Sequence, residues 1–84
     1  MKMVLTAVYD EKAKAFGDCF VSPSKGIAIR GFGDACKNTE GMLAKHPADY
    51  KLYFIGDYEN EIGKVFCPEI PELLCSAVDF VEVR

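Results

Sequence analysis

The chain has 84 residues, half of them hydrophobic and 27% charged, with a net charge of −3. That length supports one domain over residues 1–84 and one modest core, because chains divide into domains only at two to three times this size. A deep enclosed active site would consume much of such a core, so composition favours a binding protein over an enzyme. No run of residues approaches the roughly 20 apolar positions that span a bilayer. The amino terminus passes from Met1-Lys2 to Tyr9-Asp10-Glu11 with no apolar signal core, so the protein is expected in the cytoplasm where it is made.

Lys2 to Tyr9 is rich in aliphatic and β-branched residues and reads as a first, central strand. Asp10 to Gly17 reads as an irregular connection, with Phe16 and Phe20 anchoring it to the core. Ser22-Pro23-Ser24 punctuates the chain and offers a helix N-cap. From Lys25 to Lys37, the spacing of Ala28, Ile29, Phe32, Ala35 and Cys36 predicts an α-helix with one apolar face. Gly26, Gly31 and Gly33 each cost that helix about 1 kcal/mol relative to alanine, and close approach to a sheet would compensate. Lys37-Asn38 ends it with a cation and a residue tolerant of left-handed geometry.

Glu40 to Lys45 suits a short helical turn before His46-Pro47. Tyr50 to Ile55 is the strongest strand signal, followed by a polar turn and a return strand, Lys64 to Cys67, which makes a hairpin. Alternation sends Leu52, Phe54 and the facing Phe66 to the core and leaves Lys51, Tyr53 and Ile55 on the opposite face, as a stacking platform or a dimer surface. Pro68 and Pro71 break the pattern, and Glu72 to Arg84 reads as a helical turn leading into a terminal strand. The expected fold is α+β, a small antiparallel sheet of three to four strands with one main helix packed on it.

The four cysteines, at 19, 36, 67 and 75, are not paired at zinc-ligand spacing. Without a secretory signal they are expected to be reduced, Cys19, Cys67 and Cys75 as small buried hydrophobes, with no metal and no cofactor. His46, the one histidine, offers a base to no obvious nucleophile and reads as a loop or capping group. Asp57, Glu59, Glu61 and Glu69 lack the calcium-loop pattern and read as a solvated acidic hairpin. Arg30-Gly31-Phe32-Gly33 opens like an RNA-recognition signature, but Asp34-Ala35-Cys36-Lys37 does not continue it, and no third glycine completes a dinucleotide fingerprint.

Charge is uneven along the chain. Residues 1–42 carry six basic and five acidic side chains, whereas residues 43–84 carry four and eight. A polyanion would therefore meet the amino-terminal half, and an overall negative chain binds it only locally or as an oligomer.

Three strings, Val8 to Phe16, Ser24 to Phe32 and His46-Pro47-Ala48-Asp49-Tyr50-Lys51-Leu52-Tyr53-Phe54-Ile55-Gly56, resemble the small non-structural protein of gokushoviruses, single-stranded-DNA bacteriophages of the microvirus family. The likeness covers roughly residues 4–64 and is most specific in the last string. It implies an accessory protein in phage DNA metabolism, in single-stranded DNA synthesis or packaging, within the infected bacterial host, and it supplies no catalytic residues. Combined with the charge pattern, the expected partner is single-stranded DNA or a phage replication protein. Lys12, Lys14, Lys25 and Arg30 would contact phosphate and Tyr53 a base, in a homodimer. The alternative is a module that binds a replication or host protein through its sheet face and acidic hairpin without touching DNA.

Overall fold

A computed structural model describes residues 1–81 of the chain. β1 (Lys2–Asp10) is central, pairing antiparallel with β2 (Ala15–Ser22) on one side and β3 (Tyr50–Glu59) on the other. The segment expected to be irregular is instead a hairpin whose second strand starts at Ala15. Its turn is built by Asp10, whose Oδ1 accepts from the amides of Lys12 at 2.9 Å and Ala13 at 3.3 Å, and by Lys14 in left-handed geometry at φ 55°. Ala7 pairs with Cys19 and Tyr9 with Phe16, so Gly17 and Asp18 together oppose Val8 in a β-bulge. β2 lies at the sheet edge, which leaves Phe16 and Phe20, the expected core anchors, 44% and 56% exposed.

Ser24 caps α1 (Lys25–Cys36) by accepting from the amide of Ile27. Ala28, Phe32 and Cys36, one turn apart, are buried, with Ile29 packed beside them, while Ala35 is exposed. The glycines are not a common sheet contact. A methyl at Gly31 would meet nothing within 4 Å, and one at Gly33 would meet the Phe80 ring at 2.9 Å. The helix closes through Lys37 N to Asp34 O and Asn38 N to Ala35 O, with Lys37 in right-handed geometry, so no left-handed residue is needed. A single turn, α2 (Met42–Lys45), and a 3-10 turn at Pro47–Asp49 lead into β3.

β3 pairs with β1 along its full length, and two short strands share its other edge. β4 (Lys64–Phe66) pairs with Asp57–Glu59, and β5 (Glu72–Ser76) with residues 51–54. Gly56, within β3, sits against the point where the chain leaves β4, and a Cβ there would fall 2.8 Å from the Phe66 carbonyl oxygen. The tail reverses the expected order. The strand comes first, and Ser76 then starts a 3-10 turn at Ala77–Asp79, its amide donating to Asp79 Oδ2 at 2.9 Å. Phe80 and Val81 are not in a strand, and the rest of the expected terminal strand, 82–84, lies outside the described residues.

The fold is α+β, as the sequence implied, with five strands where three to four were expected. Ala28, Phe32, Cys36, Leu52 and Ala77 form the core between helix and sheet. Only one sheet face carries a helix layer among the described residues. The radius of gyration, 13.2 Å, accordingly exceeds the about 12 Å of a compact chain this long.

Candidate nucleic-acid interface

Strand alternation fixes what the bare face presents. Leu52 and Phe54 are buried under the helix, while Lys51 and Tyr53 are half-buried on the other side; Ile55, also half-buried, is the extra residue of a bulge in the ladder with β1. There Tyr53 joins two further rings, Phe16 at 5.5 Å and Tyr9 at 6.2 Å between centroids, and Tyr9 meets Phe16 at 4.9 Å, all edge to face. Lys51 opposes Tyr9 across the ladder and ion-pairs with Glu11, whose hydrogen bond is the main cause raising the Lys51 ammonium above its usual value. Lys12 and Lys14 occupy the turn joining the strands of Tyr9 and Phe16. Flat aromatic faces beside mobile cations are what unpaired bases and their phosphates need.

The structure divides the five residues singled out from the sequence. Tyr53, Lys12 and Lys14 fall at one end of the bare face. Lys25 and Arg30 lie on α1, on the opposite side of the sheet. Lys25 is engaged there: its Nζ lies 3.2 Å from the Glu72 carboxylate and 4.4 Å from the centroid of the Phe54 ring. Both sites are exposed, and such a pair is worth only about 0–1 kcal/mol. Tyr9 and Phe16 fall outside that selection because the segment after Tyr9 reads as irregular; Asp10, a turn former between two aromatics, is the signal that places them, beside the Lys51 that alternation already sets on the Tyr53 face. Phe66 does not face the core and is 49% exposed, because β4 pairs only with the far end of β3, beyond the helix.

The cysteines are free, but only Cys36 is buried, with Cys75 half-buried and Cys19 and Cys67 exposed, on the edge strand and beyond the short β4. Burial, then Asp79 and Cys36, pushes the Cys75 thiol up to about 11. His46 is exposed, and its carbonyl accepts from the Asp49 amide to close the 3-10 turn. Lys2 approaches Asp57 at 3.8 Å on the acidic hairpin. Among the described residues no three His, Cys, Asp or Glu side chains converge as metal ligands, and no helix is long and apolar enough to cross a membrane.

A small antiparallel sheet with a helix on one face and an aromatic cluster on the other defines the class. Residues 3–80 match the Phage ORF5 protein family, and the chain belongs to it. It is 31% identical over 70 residues to Protein ORF5 of Chlamydia phage 1, covering 79% of this chain and 73% of that relative. Chlamydia phage 1 is a gokushovirus, so the resemblance read from the three strings holds. No solved structure matches the chain.

Proposed function

We propose that this phage accessory protein is non-enzymatic and acts in viral DNA replication or single-stranded DNA synthesis and packaging in the host cytoplasm. It engages single-stranded DNA weakly, as a homodimer, through the bare sheet face. The observation that carries this reading is the Tyr9, Phe16 and Tyr53 cluster, with Phe16 exposed and both tyrosines half-buried, flanked by Lys12, Lys14 and Lys51. Asp10 and Glu11 offset part of that charge, so stacking contributes more than phosphate contact.

The test is fluorescence anisotropy of a labelled oligo-dT at two salt concentrations. Two phosphate contacts, from Lys12 and Lys14 with Lys51 held by Glu11, give on a single strand a log–log salt slope of about −1.4, a loss of roughly 7-fold in affinity from 50 to 200 mM. Tyr53→Ala should weaken binding at least about 5-fold, since one stacked base is worth roughly 1–3 kcal/mol. No binding at 50 mM, or binding untouched by Tyr53→Ala, defeats the proposal.

A second reading, docking to a replication or host protein, draws on Val65, Phe66, Ile70 and Leu73, exposed between 43% and 76% along one stretch. It predicts capture of the phage replication protein by the wild type and loss of that capture in Ile70→Glu with Leu73→Glu, with no effect of Tyr53→Ala.

A further inference from the structure

β2 closes one side of the sheet, and among the described residues only β1 pairs with it. Proteins guard such edges with lysine, proline or short length, because an unpaired row of amides and carbonyls templates another strand. β2 is long and has neither lysine nor proline; its one guard is the bulge at Gly17 and Asp18, which leaves Cys19 to Ser22 open to pairing. Its eight residues, Ala15–Ser22, carry one charge, Asp18, and seven of the eight are exposed. Phe20 and Val21, 56% and 52% exposed, project to opposite faces of the edge. On the helix side the edge borders an apolar groove of about 440 Å³ between β2 and α1, walled by Phe20, Ile27, Phe32 and Leu43.

We infer that this edge is the seam at which a second copy of the chain docks, β2 against β2, antiparallel about a two-fold axis at Phe20. The local sequence selects the register. Pro23 has no amide to donate, and the bulge at Gly17 and Asp18 breaks the ladder, so Cys19 to Ser22 is the regular stretch. Opposed residues of an antiparallel pair share a face. An axis at Phe20 sets Phe20 against its own copy, Cys19 against Val21, and Asp18 against Ser22. An axis at Cys19 would set Val21 against the bulged Gly17, and one at Val21 would set Cys19 against Pro23. The two Asp18 carboxylates then lie about 13 Å apart along the seam, and no like charges meet.

The area is sufficient for a weak, specific dimer. Phe20, Val21 and Ile27 leave about 280 Å² of apolar surface per copy, with Phe16 kept for the bare face. At about 57% apolar content that corresponds to roughly 500 Å² per partner, the size of weak, transient interfaces. The doubled sheet keeps both bare faces on one side, with a Phe16 cluster on each flank of the seam, about 26 Å apart along it. This rests on the homodimer part of the proposed function and names its surface.

Light scattering from about 5 to 300 µM should show the mass rising from 9.3 kDa toward twice that value, with a micromolar midpoint. Phe20→Lys should hold the monomer with an unchanged circular dichroism spectrum, since the side chain is exposed. In a Cys67→Ser background, Val21→Cys should give a covalent dimer with diamide as oxidant, and Cys19→Ser should abolish it, because directly opposed strand positions fall within disulfide reach. A monomer at every concentration overturns the inference, and if oligo-dT still binds, the DNA reading stands alone. A dimer that survives Phe20→Lys and dissociates in Tyr53→Lys overturns the seam and leaves the homodimer standing. A dimer without the Cys19 cross-link overturns the register.

Discussion

Two glycines two residues apart in α1 should respond differently to the same substitution, one with a gain in stability and the other with none or a loss. At Gly31 a new methyl meets nothing within 4 Å, so Gly31→Ala gains the helix preference of alanine, about 1 kcal/mol, without a packing cost. At Gly33 the methyl lies 2.9 Å from two carbons of the Phe80 ring, which is held against Phe32 at 6.1 Å between centroids. Displacing a packed ring costs about 1–3 kcal/mol, enough to cancel or exceed the same propensity gain. For a domain this size 1 kcal/mol moves the melting temperature by about 4–8 °C. Thermal unfolding followed by circular dichroism, at a protein concentration low enough to hold one oligomeric state, should therefore place Gly31→Ala about 4–8 °C above wild type and Gly33→Ala at or below it. A Gly33→Ala variant as stable as Gly31→Ala would refute the ring contact; a destabilised Gly31→Ala would refute the open space assigned to Gly31.

Gly56→Ala should destabilise by about 1–3 kcal/mol, because its methyl would meet the Phe66 carbonyl, a backbone atom that no rotamer change can move aside; urea unfolding reads the loss. Timed alkylation at pH 8 should modify Cys19 and Cys67 quickly and leave Cys36 unmodified, with Cys75 about 100-fold depleted in thiolate relative to a thiol of ordinary value 9.0. Stability should fall as pH rises from about 9 to 11. Cys36 and Cys75 by burial, Tyr50 by burial, and Lys51 by its Glu11 partner all hold their protons above their unfolded values, so each contribution is intact below those values and is lost as the folded group deprotonates. Melting curves across that range should show a shallower decline in Cys75→Val.

The elements with a strong local signal were legible in the sequence. Ser24 and the Ala28, Phe32, Cys36 spacing specify α1, and Tyr50 to Ile55 specifies the strand and its two faces, because periodicity records which side of an element is buried. What the sequence hid was long-range pairing. Phe16 and Phe20 are as apolar as any core residue, and only the position of β2 at an edge exposes them. Leu73, Leu74, Ala77 and Val78 fit a helix by spacing, yet the free edge of β3 recruits Glu72 to Ser76 as a strand, and the capping by Ser76 and Asp79 places the helical turn after it. The candidate site was read in fragments for the same reason. Tyr53 and Lys51 were visible by alternation along one strand, while Tyr9 and Phe16 reach them only through cross-strand register.

The net charge of −3 is compatible with a polyanion partner only if the opposing charges are separated in space, and the topology does this in part. β1 runs from the acidic β3–β4 hairpin, where Lys2 approaches Asp57, to the β1–β2 turn with Lys12 and Lys14 at the other end of a molecule 46 Å long. Charges that far apart exceed the about 8–10 Å screening length at physiological salt, so a phosphate at the lysine turn does not feel the distant hairpin. It does feel Asp10, committed to the turn amides, and Glu11, committed to Lys51. Neutralising Glu11 alone, as Glu11→Gln, frees Lys51 and removes one local negative charge, so it should tighten single-stranded DNA binding and steepen its salt dependence. Glu61→Gln, at the far hairpin, makes the same change in net charge and should alter neither; equal effects from the two variants would mean that overall charge, and not the aromatic end of the sheet, governs the interaction.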